Sequence, residues 1–158
     1  MFNVGDKVVY PMHGAGIIEA IEEREVLGNR QKYYIMKLPI GDMQVMVPME
    51  SAEDVGLREI IDHEGVKKVI EILKGKKTKM SSNWNRRYRA NMEKIRSGDI
   101  FEVAEVVRNL AIRDAEKGLS TGEKKMLDSA KQILISELVL AQDATEEEIE
   151  ALIEECLG

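Results

Sequence analysis

The sequence predicts an α+β chain: a small twisted β barrel at the N-terminus, followed by an all-α helical half. Three observations carry this. Four apolar-rich runs between Val4 and Val47 recur at a spacing of about ten residues, with tight turns between them, as in small barrels. Three residue pairs, Asp99/Glu102, Ser120/Glu123 and Thr145/Glu148, stand ahead of periodic apolar stretches, the pattern of capped helices. Charge is also segregated: residues 1–64 carry a net −6, residues 65–96 a net +9 and residues 97–158 a net −9.

The first strand is read over Val4–Tyr10, stopped by Pro11. His13-Gly14-Ala15-Gly16 is a turn. It is not a phosphate loop, because it lacks the later glycine and the Lys-Ser/Thr pair. Ile17, Ile18 and Ile21 belong to a second strand, and Leu27-Gly28-Asn29-Arg30 forms a hairpin turn in which Gly28 and Asn29 tolerate positive φ. Lys32–Met36 is a third strand, Pro39-Ile40-Gly41-Asp42 a turn, and Met43–Val47 a fourth strand ended by Pro48. Alternation puts Met43, Val45 and Val47 on one face and Gln44 and Met46 on the other. With the first face inward, Met46 is displayed, and an exposed strand offers unpaired backbone groups to a partner's strand. The other reading has both faces covered. Residues 51–64 form the junction, with the β domain spanning 1–55 and the helical domain 56–158. Some 50 residues is marginal for independent stability, so contacts with the helical half are expected.

In the helical half, apolar positions 66, 69, 70 and 73 mark a first helix over Val66–Lys74 that stops at Gly75. A basic loop, Lys76-Lys77-Thr78-Lys79, leads to a second helix with Ser82 as N-cap and Trp84, the only tryptophan, in its first turn. Its apolar stripe is Trp84, Tyr88, Met92 and Ile95, with Arg86, Arg87 and Arg89 off the stripe, and Gly98 ends it. A third helix runs from Asp99 to about Lys117, a fourth from Ser120 to about Ala141, and a short fifth follows Thr145 and carries Ile149, Leu152, Ile153 and Cys156.

Composition removes several function classes. No apolar run approaches the roughly 18 residues of a membrane span, and the N-terminus shows neither the basic nor the apolar region of a signal peptide. A single cysteine, Cys156, excludes an intramolecular disulfide and any multi-cysteine metal site. A cytoplasmic setting is therefore expected. The two histidines, His13 and His63, have no Ser, Cys or His partner at a diagnostic spacing, and no loop has calcium-binding spacing. Glu146-Glu147-Glu148 suits a helix start, where negative charge complements the dipole. The expectation is a non-enzyme without metal or cofactor.

The basic segment is either a solvated face or a nucleic-acid surface. Trp84 likewise has two readings. On its stripe it is a core residue. In a first turn its side chain projects toward the preceding basic loop, where it could press into a minor groove or against an opened base step. In the second reading Arg86, Arg87, Arg89 and Lys79 hold phosphates. Lys124 and Lys125 extend the patch if the two helix starts lie side by side.

Several stretches carry a resemblance. Phe2-Asn3-Val4-Gly5-Asp6-Lys7-Val8-Val9-Tyr10-Pro11-Met12-His13-Gly14, Val45-Met46-Val47-Pro48, Val55-Gly56-Leu57-Arg58, Asn83-Trp84-Asn85-Arg86-Arg87-Tyr88 and Gly118-Leu119-Ser120-Thr121-Gly122-Glu123-Lys124-Lys125-Met126-Leu127 together resemble the CarD/CdnL family of bacterial transcription regulators. The likeness covers nearly the whole chain. The β module is also similar to the polymerase-interacting domain of transcription-repair coupling factors, but no helicase motif is present.

The resemblance implies a Tudor-like (SH3-like) β domain that binds the β subunit of RNA polymerase. It also implies a helical domain that meets promoter DNA, mostly backbone and minor groove, at the upstream edge of the bubble. Function would be stabilisation of the open complex. The wedge tryptophan of the family matches Trp84. Its phosphate contacts match Arg86, Arg87 and Arg89, with Lys79, Lys124 and Lys125 beside them. A polymerase-contacting arginine matches Arg24 and a second such position Met46, where some members carry arginine; Gln44 and Val45 flank it. A monomer is expected, free of membranes and associated with the nucleoid through polymerase. The competing class is a protein-interaction adaptor on polymerase without direct DNA contact.

Overall fold

The computed structural model describes residues 1–39 and 41–158. Five strands form one antiparallel sheet: β1 (Lys7–Tyr10), β2 (Gly14–Val26), β3 (Asn29–Lys37), β4 (Gln44–Pro48) and β5 (Arg58–Glu59), in the order β4-β3-β2-β1-β5. Five helices follow: α1 (His63–Lys74), α2 (Trp84–Arg96), α3 (Ile100–Lys117), α4 (Thr121–Gln142) and α5 (Glu146–Leu157). The α+β architecture expected from the sequence is present. No helix among the described residues is long and apolar enough to cross a membrane.

One face of the sheet supplies a core of Val8, Ile18, Tyr34, Met36, Val47 and Leu57. A bulge at Glu19, between the pairs Ile18↔Met36 and Ala20↔Ile35, shifts the register of β2. The β2–β3 loop differs from expectation. Positive φ falls on Leu27 (53°) and Gly28 (82°), not on Asn29, because Asn29 is already paired with Val26. Two consecutive positive φ values suit a two-residue hairpin loop. The tip thus displays a leucine that is 98% exposed. Of the Pro39–Asp42 turn, Ile40 lies outside the described residues.

β5 was not expected. It is two residues long, and Arg58 and Glu59 carry no apolar alternation, so nothing local marks them as strand. Pairing with β1 (Val9↔Arg58, Val8↔Glu59) creates it. The expected boundary at 55/56 therefore falls inside the segment that builds the sheet.

The caps also differ in detail. Asp62 opens α1 three residues earlier than the apolar pattern, its side chain accepting from the Gly65 N–H. α2 is capped by Asn83 rather than Ser82: Asn83 Oδ1 accepts from the Arg86 N–H at 3.1 Å. Ser82 instead lends its carbonyl, with that of Ser81, to the Arg87 guanidinium. Of the three expected capping boxes, the one at Thr145/Glu148 closes in both directions. At α3 the Asp99 N–H donates to Ser97 Oγ instead of Glu102. At α4 the Glu123 carboxylate turns to Arg87.

α4 is the central helix. It packs on α1, α2, α3 and α5 and also on β2. Leu110, Ala130, Leu134 and Leu138 are fully buried in the helical core, which is continuous with Val69, Leu73, Val106 and Ile153. Cys156 is buried there as a small hydrophobe, and burial pushes its thiol up.

Candidate functional site

The starts of α2 and α4 lie side by side, and Trp84 joins them. Its indole Nε1–H donates to Ser120 Oγ at 2.9 Å. Its ring stacks on Tyr88, with centroids 4.9 Å apart and planes inclined by 20°. Its six-membered edge lies over Gly122, where an added Cβ would stand 3.4 Å from Cζ2. Yet the residue stays 41% exposed. The indole is neither sealed in the core nor free: three neighbours hold it at the surface by one edge and one face.

Arg87 is the main correction to the expected site. It was read as a phosphate contact off the stripe, but it is 4% exposed. Its Nε donates to Glu123 Oε2 at 2.8 Å and its Nη2 to Oε1 at 3.1 Å. Its Nη1 reaches the carbonyls of Ser81 and Ser82. The inward face of α2 is therefore broader than the apolar residues show, and buries Arg87 and Asn91 along with Ile95. Four of its five guanidinium N–H groups are spent on a buried carboxylate and two carbonyls, and burial keeps the group out of reach of a phosphate. Hydrogen bonds from Arg87 hold the Glu123 carboxyl below the usual carboxylate range against the opposing effect of burial. The same pairing raises the pKa of Arg87.

The other expected cations stand apart from this pair. Arg86, Arg89, Lys79, Lys124 and Lys125 are all exposed. Among the described residues, none of the five forms an ion pair with a carboxylate. Lys124 and Lys125 follow Glu123 in the first turns of α4, so the adjacency of the two helix starts brings them to the Trp84 end of the molecule. The basic loop before α2 is anchored by Asn109 of α3, a buried residue that accepts from the Thr78 N–H at 3.0 Å and donates to Thr78 Oγ1 at 2.8 Å. Sequence reasoning missed Ser120, Glu123 and Asn109 as parts of this site. Ser120 and Glu123 were visible as a capping pair, but their second partners come from another helix.

Ser120→Ala tests the hold on the indole. Because Trp84 is the sole tryptophan, tryptophan fluorescence reports the surroundings of this ring alone. The expected result is a red-shifted emission with lower anisotropy, and a loss of about 1 kcal/mol in stability from the missing N-cap. Emission identical to that of the parent chain would show that the hydroxyl does not hold the ring.

The second expected surface is the outer face of the sheet. Arg24 is exposed and pairs with Glu22 (Nη2–Oε2, 2.6 Å), while its Nη1 lies 3.8 Å from Met46 Sδ. Gln44 Nε2 donates to Glu19 Oε2 at 2.8 Å. Tyr33 and Ile35 sit on this same face by register and are nevertheless buried. Arg24, Gln44 and Met46 are thus brought together. Val45 is not with them: its side chain packs inward against the sheet core. It offers only backbone, in a strand that ends the ladder.

Comparison with known proteins follows the same two-part division. Residues 2–61 match the CarD-like/TRCF RID domain and residues 68–154 the CarD C-terminal domain. The chain is 44% identical over 151 residues to the "Putative transcription factor YdeB" of Bacillus subtilis (strain 168), covering 96% of this chain and 99% of that protein. Among solved structures, "CdnLNt from Myxoccoccus xanthus" is 42% identical over 39% of this chain and 86% of its own, with a TM-score of 0.33. With both halves matched in order and one relative similar along nearly its full length, the chain belongs to the CarD/CdnL family of transcription regulators that act on RNA polymerase.

Proposed function

We propose that the chain grips the β subunit of RNA polymerase with the outer face of its sheet and presses Trp84 against promoter DNA at the upstream edge of the melted region, stabilising the open complex. The observation that carries this reading is the half-exposed indole at two adjoining helix starts, with exposed Arg86, Arg89, Lys124 and Lys125 from the same helices and Lys79 from the loop before α2, none of them in an ion pair among the described residues. An aromatic edge suits an unstacked base step, and cations without carboxylate partners suit phosphates.

The division of labour follows from the charge. A chain of net −6 is repelled by DNA as a whole, so a small basic face needs help. Docking on polymerase supplies it by raising the local concentration of that face at the promoter. The wedge acts on the equilibrium only through its preference for opened over closed DNA, since equal affinity for both shifts nothing. Phosphate contacts carry no base information, so little sequence selectivity is expected from this chain.

The polymerase surface is tested by Arg24→Glu. Charge reversal beside Met46 should raise the Kd for polymerase by about tenfold or more while leaving the free protein's DNA affinity unaltered. Loss of DNA affinity with polymerase binding intact would mean that the two surfaces have been exchanged.

A further inference from the structure

The expected turn at His13-Gly14-Ala15-Gly16 is confined to residues before Gly14: Gly14, Ala15 and Gly16 open β2 by pairing with Tyr10, Val9 and Val8, and this stretch, which has no part in either surface, packs closely on α4. The Ala15 N–H donates to Ser136 Oγ of α4 at 2.8 Å in a buried bond. Gly14 has φ +102°, and a Cβ there would stand 2.7 Å from the same oxygen, so only glycine lets the start of β2 sit this close. The residue after Ser136 is Glu137, whose exposure is 0%. Its carboxylate accepts three hydrogen bonds from the other side of the seam. Arg58 of β5 donates through Nη2 to Oε1 at 2.8 Å and through Nη1 to Oε2 at 2.9 Å, and the Ile61 N–H donates to Oε2 at 2.8 Å. The remaining guanidinium nitrogen, Arg58 Nε, donates to the Gly98 carbonyl in the α2–α3 turn at 2.8 Å.

Beside this node the two halves make further close contacts. Val9, Ala15 and Leu140 form a small buried cluster with Ile60 against it. Lys7 Nζ donates to the Leu140 carbonyl at 3.0 Å. Pro11 lies against Gly98, where a Cβ would meet its ring at 2.9 Å. Sheet, linker, α2–α3 turn and α4 are therefore joined at one point by a forked ion pair, in which Glu137 is sealed and the Arg58 side chain is 30% exposed. Such a pair contributes little net stability compared with apolar packing, but moving Arg58 away strands the buried Glu137 carboxylate. It penalises every relative placement of the two halves except the one that closes the fork.

We propose that Arg58 and Glu137 are positioning residues that hold the sheet and the helices as one rigid body, so that polymerase bound on the sheet fixes where Trp84 falls on the promoter. The inference rests on the function proposed above and adds a geometric condition to it. A loose linker would give the helical half only the effective concentration of a flexible tether, spread over many positions. A fixed separation concentrates it at one position and fails when the geometry is lost.

Glu137→Gln in the full chain tests this, with Arg58→Lys as a milder variant that keeps the charge and loses the fork. Residual dipolar couplings should fit a single alignment tensor in the parent protein and require two in Glu137→Gln, with Arg58→Lys between them. Polymerase affinity should stay unchanged, and the gain in open-complex lifetime should fall by about tenfold. One tensor in both variants would show that the pair does not hold the halves together. Two tensors with an undiminished lifetime gain would show that rigidity is not used. Weakened polymerase binding would place the pair's role within the sheet. If instead Trp84→Ala leaves lifetime untouched, the functional reading fails, while the tensor measurement still decides whether the seam is rigid.

Discussion

Trp84→Ala should shorten the lifetime of open promoter complexes by about tenfold and leave polymerase affinity unchanged if, as proposed, the indole contacts only opened DNA. The magnitude follows from aromatic contacts with unstacked bases, worth about 1–3 kcal/mol per base, with about 1.4 kcal/mol per factor of ten. The substitution leaves the fold standing, because the ring is half exposed and contributes one hydrogen bond to Ser120 and one stacking contact with Tyr88. Arg24 and Met46 lie on the sheet, away from the helical element that carries Trp84, so docking survives. Trp84→Phe keeps an aromatic face and loses the Nε1–H, and should fall between the two. Promoter complexes that live equally long with alanine would favour the adaptor reading, in which the basic surface meets no DNA. The measurement is the decay of open complexes after addition of a competitor, paired with a direct polymerase binding curve.

Arg87→Ala should lower the unfolding free energy by about 3–5 kcal/mol, the usual result of leaving a buried carboxylate without its partner. Arg86→Ala and Arg89→Ala change stability by no more than about 0.5 kcal/mol, because exposed side chains without ion pairs hold nothing together. The three arginines stand within four positions of one another, and their roles separate by direction alone. Denaturant unfolding of the three variants side by side decides the matter. Equal stability for Arg87→Ala and Arg86→Ala would mean that the Glu123 pair is not formed in solution. The pair also sets an acid limit. Glu123 has its folded pKa depressed, chiefly by hydrogen bonds from Arg87. Its contribution is complete above the unfolded value of about 4.3 and is lost as pH falls from there through the folded pKa. Glu123→Gln should flatten the stability profile in that acid range and leave the profile above it parallel to that of the parent chain.

The helices and strands were legible because their signals are local. Alternation over Gln44–Val47, with Val47 buried and Met46 displayed, appears in the sheet as the period requires. The capped starts at Asp99, Ser120 and Thr145 appear where polar residues precede periodic apolar ones. Leu27 shows where local reading stops. Its positive φ comes from the pairing of Val26 with Asn29 across the hairpin, a constraint that outweighs a leucine's own preference of about 1–2 kcal/mol. β5 is a stronger case, since its two residues are a strand only because β1 lies beside them.

The candidate site divides along the same line. A tryptophan opening a helix, the arginines after it and the lysines after Glu123 could all be found by reading along the chain, since each is a matter of residue type and helical spacing. Which arginine faces solvent, why the indole stays at the surface, and how sheet and helices are set against each other depend on Ser120, Glu123 and Glu137. These lie 36 residues from Trp84, 36 from Arg87 and 79 from Arg58. A hydrogen bond or ion pair between distant positions leaves no period in the sequence. It comes into being only when packing of α4 against its neighbours removes water from both partners and makes an unpaired charge too costly to keep.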